Sequence, residues 1–405
     1  MNLLVGKMLR LILVVSTLIP MLTGCWDQVE IEDRALVLGL AIDKAPPEAK
    51  DDESTHIQEK FPLKKIQVTA QIAVPGRVPL GPGSSGSGSS NQNPVWVVKV
   101  TGLSLDDAMN NLQQQIADPR YLVHLRVIII SKDIAHSKDH MDELNDYLRR
   151  NPEVRRRTWL LVSEGSATKF MDVAPPLQRV PTIYILAMMD KAVDIGKLPP
   201  DYIGNFWSAH SKWGQSSFLP YIAIREKDNI LIKGLAYFRE GRMVGTTKPI
   251  EIGAYLAIMG MNPGGYSEFF QVPELGFVMT VITERHSRNK SSISKGKPHL
   301  KYHLSLEGNL DEHFQSMNPI NSSARLHQVE LTFNKRATKL INNMIKKTQK
   351  DHCDIFGMGE IIRAHHPSFW KEHIHSKKDW EEMYGNLTVD VEVNMAISNV
   401  GLKQK

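Results

Sequence analysis

The sequence has few cysteines, little excess charge and no apolar run long enough to span a bilayer as a helix. Two cysteines in 405 residues exclude a disulfide framework. The formal net charge is +5, too mild to indicate nucleic acid as a partner. With 42% apolar and 23% charged residues, the composition excludes a polytopic membrane protein, a collagen-like fibre and a wholly disordered chain.

Motifs of common enzyme classes are also missing. The sequence contains no G-x-S-x-G, no H-E-x-x-H, no phosphate-binding Walker motif and no C-x-x-C. A G-x-G-x-x-G match at Gly81–Gly86 lacks the strand before it and the helix after it that a dinucleotide site needs. We therefore expect neither catalysis nor a bound cofactor.

The first 25 residues are informative. Lys7 and Arg10 precede an apolar run over residues 11–22, which has signal-peptide length and is too short for a spanning helix. The tetrapeptide Leu22-Thr23-Gly24-Cys25 resembles a bacterial lipobox, in which the cysteine thiol carries a diacylglyceryl group. We predict cleavage after Gly24 and lipid attachment at Cys25, leaving an exported body tethered at its N-terminus. An ordinary secretory leader and an uncleaved short anchor are the alternatives.

The remaining pattern predicts an α+β fold, because strands and helices follow one another without strict βα alternation. Strands are predicted at 35–43, 66–72, 95–100, 127–130, 159–162, 219–224, 230–238, 277–283, 299–306 and 387–397, and helices at 105–116, 141–150, 182–195 and 333–345. The glycine-, serine- and proline-rich segment Gly76–Asn93 is predicted to be a flexible loop. We divide the chain into a signal peptide (1–24), an N-terminal α+β domain (25–195) and a C-terminal α+β region (196–405). A further split near residue 245 is left open.

Three clusters could carry function. The C-terminal group of one cysteine and five histidines could bind zinc, although its spacing fits no standard site: His352, Cys353, His365, His366, His373 and His375. Arginines at 149, 150 and 155–157 form either a solvated helix end or a contact for a partner subunit or anionic head-groups. A second basic stretch, from Arg285 to Lys297, is predicted to be a mobile loop that could approach a membrane.

Four groups of residues carry a resemblance to a known family: Cys25–Asp33 with Ala35–Asp43, Arg149–Arg155, Gly234–Phe238 with Met243–Gly245, and Asp354–Gly359 with Pro367, Trp370 and Trp380. Together they resemble the Ger(x)C family, the C-subunit lipoproteins of bacterial nutrient germinant receptors. That family has a cysteine-tryptophan start, an acidic stretch and an apolar run ending in aspartate. It also has an Arg-x-Pro-Glu-x-Arg signature, a Gly-x-Ala-x-Phe and Val-Gly pair and a C-terminal block. The Gly76–Asn93 insert is longer than this family would lead us to expect.

The resemblance implies an elongated α+β arrangement of two to three sub-domains with mixed sheets. It also implies a non-catalytic subunit needed for nutrient-triggered spore germination, held on the outer face of the inner spore membrane through Cys25. Its implied partners are two multi-spanning membrane subunits of the same receptor. The alternatives are a lipid-anchored solute-binding protein that feeds a transporter and a lipid-anchored metallohydrolase that uses the C-terminal histidines.

Overall fold

The structure is a computed structural model. It describes residues 5–8, 12–13, 16, 30–47, 65–74, 93–173, 178–226, 229–314, 320 and 322–399. Gly24 and Cys25 lie outside the described residues, as does the glycine- and serine-rich segment up to residue 92. No helix in the described part of the chain is both long and apolar enough to cross a bilayer.

A large mixed sheet forms the first half of the described chain. Its strands are β1 (Ala35–Lys44), β2 (Ile66–Ala73), β3 (Val95–Gly102), β4 (Arg120–Tyr121), β5 (Val127–Ser131), β6 (Trp159–Ser163), β7 (Phe218–Arg225), β8 (Asn229–Arg239) and β9 (Arg242–Thr246). Their order is β3-β2-β1-β5-β6-β7-β8-β9, with the short β4 beside β1. The central strands β1, β5, β6 and β7 run parallel, and the other long strands pair antiparallel.

Helices cover both faces of this sheet, which explains why its central strands are nearly continuous apolar runs. They are α1 (Leu105–Gln115), α2 (Lys132–Ala135), α3 (Lys138–Arg150), α4 (Pro181–Asp194) and α5 (Ile203–Ser211). Alternate residues of β5 enter two different apolar clusters: Ile128 packs with α1, α2, α3 and α5, whereas Ile129 packs with α4. Ser104 begins α1 as predicted, since its side chain accepts a hydrogen bond from the Asp107 backbone N–H.

A four-stranded sheet forms the second half, in the order β10-β11-β12-β13 among the described residues. Its strands are β10 (Ser267–Val272), β11 (Gly276–Ser294), β12 (Lys297–Phe314) and β13 (Thr388–Asn399). The helices of this half are α6 (Pro249–Ile258), α7 (Ser323–Lys350), α8 (Met358–His365), α9 (Pro367–His373) and α10 (Lys377–Tyr384). The amphipathic α7 buries Phe333, Ile341 and Ile345, and it lies against β10 and β13. The two halves share one apolar cluster, to which α4, α6 and α7 all contribute.

The predicted mixture of helices and strands is confirmed, and the structure has two mixed sheets. The prediction of a mobile loop from Arg285 to Lys297 is wrong, because these residues belong to the long β11–β12 hairpin. Arg285 is fully buried there, and its guanidinium donates hydrogen bonds to the backbone carbonyls of Met261 and Pro263, both at 2.8 Å. The domain division at residue 195 stays a prediction, and the first sheet takes strands from both sides of that residue.

Candidate functional site

A crevice of about 500 Å³ lies at the carboxyl ends of the parallel strands β1, β5 and β6. These three strands are neighbours in the sheet, so the residues that follow them meet along one edge. The crevice is lined by Asp43, Lys44, Pro46, Gln67, Ser131, Lys132, Asp133, Glu164, Gly165, Ser166, Thr168 and Lys169. Both its size and its position are typical of ligand sites in open sheets of this kind.

The crevice forms because the chain leaves neighbouring strands towards opposite faces of the sheet. After β5, Ile134 and Met141 of α2 and α3 join the apolar cluster on one face. After β6, Phe170 and Ile185 join the cluster on the other face. When connections diverge in this way, the strand ends between them are left uncovered, and a ligand can reach them.

Asp43 follows the apolar run of β1 and holds one wall of the crevice in place. Its carboxylate accepts hydrogen bonds from the backbone N–H groups of Ala167 and Thr168, both at 2.8 Å, and from the Thr168 hydroxyl at 2.8 Å. The Ser166 hydroxyl donates a fourth bond at 3.1 Å. Both carboxylate oxygens are therefore engaged, and the role of Asp43 is to position the segment after β6.

Two serines at the strand ends differ in their bonding. Ser163 Oγ donates to the backbone carbonyl of Gly165 at 2.6 Å. Ser131 is 5% exposed and begins α2, but its side chain makes no capping bond. Its Oγ has no hydrogen-bond partner among the described residues. A buried hydroxyl without a partner costs free energy, and Ser131 Oγ is buried from solvent as well as unpaired among the described residues.

Charged side chains of both signs line the crevice. Lys44, Lys132 and Lys169 are exposed on its rim, and none of them makes an ion pair within the part of the chain that the structure describes. Of the acidic groups, Glu164 pairs with Lys233, which lies outside the lining. Asp43 accepts bonds from neutral N–H and O–H donors and keeps its negative charge, so the lining carries three carboxylates and three lysines.

The C-terminal histidines are spread over separate contacts. Ser291 brings two of them together, since its Oγ lies 3.0 Å from His365 Nδ1 and 3.1 Å from His366 Nε2. His352 Nδ1 is 2.9 Å from the Glu381 carbonyl, and His373 Nδ1 is 3.0 Å from that of Phe369. Within the described residues, no three potential metal ligands converge.

The arginine run is divided in the structure. Arg150 pairs with Asp146, and Arg157 lies over the ring of Tyr202 at 5.3 Å. Arg149 lies 5.5 Å above the Trp207 ring, and with Arg156 it lines a second cavity of about 550 Å³ between α3 and α5. This second cavity has an aromatic wall, and every lining residue that carries a charge is an arginine.

The glycines of the segments that resemble Ger(x)C have packing roles. A side-chain carbon on Gly359 would lie 2.5 Å from the Trp380 ring and 2.5 Å from Gly214 Cα. Likewise, a side-chain carbon on Gly245 would lie 2.2 Å from the hydroxyl of Tyr237. A side chain at either position would force its neighbours to move, so these two glycines are explained by packing.

Sequence reasoning placed Asp43 at the end of a predicted strand and predicted neither a role for it nor the crevice around it. Ser131, Lys132 and Lys169 follow predicted strands directly or within a few residues, and polar residues that follow buried parallel strands meet at one sheet edge. That pattern was available in the sequence. What was missing was the neighbour relation among β1, β5 and β6, because three other strands lie between β1 and β5 in the chain.

Comparison with known proteins gives matches along most of the chain. Residues 27–224 match the model for the spore germination protein N-terminal domain, and residues 233–401 match the spore germination B3/GerAC-like C-terminal model. The chain is 24% identical to spore germination protein YndF of Bacillus subtilis, over 98% of this chain and 97% of that protein. It is 25% identical to spore germination protein A3 of the same organism, over 95% of both chains.

A solved structure supports the same assignment at the level of the fold. The crystal structure of the GerBC protein superposes with a TM-score of 0.57 at 20% sequence identity, and the match covers 89% of this chain and 97% of that one. The two family models follow each other along the chain in the order expected from the sequence segments. The chain therefore belongs to the Ger(x)C family of spore germination proteins.

Proposed function

We propose that this protein is a lipid-anchored, non-catalytic subunit of a germinant receptor. The observation that carries the proposal is the match of both family models, one after the other, over residues 27–224 and 233–401. Relatives named as spore germination proteins align over nearly their whole length, so the likeness is not confined to one shared module. The proposed partners are two multi-spanning membrane subunits of the same receptor, in the inner spore membrane.

Lipid attachment at Cys25 is the second part of the proposal. The basic residues, the apolar run and Leu22-Thr23-Gly24-Cys25 stand in the order that lipoprotein processing requires. One acyl chain holds a protein only marginally, whereas two chains hold it stably. An attached body exported behind such a leader lies on the outer face of the membrane.

The other cysteine is unsuited to acylation. Cys353 is fully buried, and burial raises the pKa of its thiol far above the ordinary value. A thiol of this kind is neither accessible to an acyl transferase nor present as the nucleophilic thiolate. Cys353 therefore provides an internal control for any experiment on Cys25.

The bonding in the crevice supports a non-catalytic role. Two buried hydroxyls belong to its lining. No described side chain lies within hydrogen-bonding distance of Ser131 Oγ to act as a general base, and the Thr168 hydroxyl donates to Asp43. The buried carboxylate, Asp43, is already saturated by donors from Ala167, Thr168 and Ser166. An activated nucleophile needs an adjacent base, so this arrangement favours binding over covalent chemistry.

The test compares Cys25→Ala with Cys353→Ala in cells that lack the proposed partner subunits. We expect Cys25→Ala to leave the membrane fraction and to take up no labelled palmitate, while Cys353→Ala behaves as the unmodified protein in both respects. Label and membrane association that survive in Cys25→Ala would refute attachment at this residue.

The receptor role needs a separate test in spores. Deletion of the chain should abolish or weaken the response to the nutrient of its receptor, and Cys25→Ala should weaken it, because tethering raises the effective concentration beside the partners. A deletion strain that germinates normally with every nutrient tested, while lacking any paralogous receptor, would refute the receptor role.

A further inference from the structure

We infer that the arginine-lined cavity between α3 and α5 is a docking surface for an acidic segment of a partner protein. In the bound state the guanidinium groups of Arg149 and Arg156 donate hydrogen bonds to carboxylates of that segment, and a neighbouring apolar side chain of the segment rests on the cavity floor. The inference rests on the proposed function in one respect, since the partner is taken to be a membrane subunit of the same receptor.

The cavity carries positive charge and has no carboxylate in its lining. Its charged lining residues are Arg149 and Arg156, and both are exposed. Neither makes an ion pair among the described residues, whereas Arg150 in the same run pairs with Asp146 at 2.8 Å. Residues 146–157 hold five arginines against two carboxylates, so the excess of positive charge extends beyond the lining. A concave surface of one charge sign attracts a ligand of the opposite sign.

An aromatic ring holds the side chain of Arg149 in place. Its guanidinium lies 5.5 Å from the centre of the Trp207 ring. Trp207 is itself fixed, because it is 8% exposed and its Nε1 donates a hydrogen bond to Asn145 Oδ1 at 3.0 Å. A guanidinium that lies over a ring keeps the N–H groups along its edge free to bond a carboxylate in its own plane. Arg149 therefore loses little side-chain freedom when an anion binds.

The second guanidinium is not explained by the stability of a helix. Basic residues in the last turn of a helix interact favourably with its dipole, which accounts for Arg149 and Arg150 at the end of α3. Arg156 lies beyond the end of α3 and gains nothing from that dipole. Its backbone is held against α5, because its carbonyl accepts a hydrogen bond from the Gly204 N–H at 3.0 Å. The fold thus brings a second cation to the cavity that local structure does not require.

The floor of the cavity favours a protein segment over other anions. It contains the buried side chains of Leu148, Val154 and Trp207, and the cavity volume is about 550 Å³. A bilayer surface is flat, so its head-groups would reach the arginines on the rim and leave this recessed apolar floor empty. A peptide segment can offer a carboxylate and an apolar side chain next to each other. Arginine and tryptophan around a small apolar centre are also typical of the residues that dominate protein–protein binding.

The experiment is site-specific photo-cross-linking of the full-length chain in cells that also make its proposed partner subunits, each with an epitope tag. The exposed rim residue Ser208 is replaced by the photo-reactive residue p-benzoylphenylalanine. Ser292, which is exposed on β11 and lies outside the cavity lining, is replaced in the same way as the control. After irradiation we expect a cross-link from position 208 to a tagged subunit and none from position 292.

Arginine variants test whether charge holds the segment. Arg149→Gln/Arg156→Gln should lower the cross-linking yield from position 208 at least about tenfold, since both guanidinium–carboxylate contacts are lost. Arg149→Lys/Arg156→Lys keeps the charges without the planar fork, so its yield should lie between the two. Lys290→Gln changes an exposed lysine on β11 and should leave the yield unchanged. The double glutamine variant should melt within a few degrees of the unmodified protein, because neither arginine has an ion pair among the described residues.

Several results would overturn the inference. One is the absence of a cross-link from position 208 when the unmodified chain co-purifies with the tagged subunits, which would leave the receptor role intact. Others are an equal yield from position 292, an unchanged yield in Arg149→Gln/Arg156→Gln, or a cross-link to lipid alone, which would assign the arginines to the membrane surface. If the unmodified chain co-purifies with neither subunit, the receptor role itself is refuted, and with it the partner assigned to this cavity.

Discussion

Asp354→Asn should remove part of the pH dependence of the free energy of unfolding. Asp354 is 1% exposed, and burial raises the pKa of its carboxyl to about 6, although hydrogen bonds from Gly359 and Trp380 partly oppose the shift. Those bonds reach Oδ2 from the Gly359 backbone N–H at 2.8 Å and from Trp380 Nε1 at 3.0 Å. Oδ1 has no partner among the described residues, so the charged form is incompletely solvated.

The sign follows from proton linkage. In the unfolded chain the carboxyl titrates near pH 4, so between about pH 4 and pH 6 the native state binds more protons than the unfolded state. The stability that Asp354 contributes is therefore complete at low pH and is lost as the pH rises through 6. A shift of about two units corresponds to roughly 3 kcal/mol in the free energy of unfolding.

Asparagine isolates this effect because its amide oxygen can accept the same two bonds and does not titrate. Its NH₂ group would occupy the position of the unpartnered Oδ1, at a cost of about 1–3 kcal/mol that is independent of pH. Asp354→Asn should therefore be less stable than the unmodified protein at pH 4 and gain about 2–3 kcal/mol relative to it by pH 7. The change with pH, rather than the difference at one pH, tests the reasoning.

The assay is urea unfolding of both proteins at several pH values from 4 to 7, followed by tryptophan fluorescence. Asp379→Asn is the matched control, because backbone N–H groups of His375 and Ser376 bond to this half-buried carboxylate and lower its pKa. The ionised Asp379 carboxylate stabilises the fold at neutral pH, and this stabilisation is lost on acidification. The stability difference between Asp379→Asn and the unmodified protein should therefore change with pH in the opposite direction. A stability difference for Asp354→Asn that stays constant from pH 4 to 7 would refute a raised pKa.

Three further outcomes are expected. Trp159→Ala should cost about 3–5 kcal/mol, because the ring is fully buried and its Nε1 donates to Asp190 at 2.9 Å; normal abundance and an unchanged urea midpoint would contradict this. Replacement of residues 76–92 by a short glycine-serine turn should shift the melting temperature by only a few degrees, since Ala73 already pairs with Val95; loss of cooperative unfolding would contradict it. Gly359→Ala should cost about 1–3 kcal/mol through its clash with Trp380, whereas Gly165→Ala, with open space around it, should be neutral by calorimetry.

Local patterns in the sequence were sufficient to predict most of the strands and helices. The strands at Ala35–Lys44 and Val127–Ser131 are nearly continuous apolar runs, and both sides of the sheet that they form are covered. The stripe from Phe333 to Ile345 predicted a helix, and the structure extends that helix over Ser323–Lys350. Such elements are predictable because their periodicity reflects burial directly.

Elements that are buried throughout or exposed throughout were harder to predict. Eight consecutive residues of α6, Glu251–Ile258, are buried, so its sequence has no amphipathic period to separate helix from strand. The outer part of the β11–β12 hairpin was missed for the opposite reason. Every residue from 286 to 297 is partly or fully exposed, and the sequence there is polar enough to resemble a loop. Arg285 is the instructive case, because only backbone carbonyls distant in sequence make its burial tolerable.

The candidate site was predictable in part. The apolar run predicted the strand that Asp43 ends but no role for Asp43 itself, and Ser131 carries no local signal that separates it from a solvated serine. Its importance depends on which strands become neighbours, and on the absence of a bond that its position at the start of α2 would normally provide. Long-range pairing of this kind is a property of the whole fold and does not appear in any window of sequence.

The place of β1 in the sheet has a mechanical consequence. Under attachment at Cys25, about ten residues separate the lipid from Ala35, so the linker reaches at most about 35 Å and holds the body close to the bilayer. A pull on that linker acts along β1, which lies between β2 and β5 rather than at an edge, and it loads the hydrogen bonds to both neighbours in shear. These bonds share the force and must break together, whereas an edge strand peeled sideways would lose them one by one. The N-terminal strand is thus suited to transmit a displacement of the body towards or away from the membrane without unravelling the sheet.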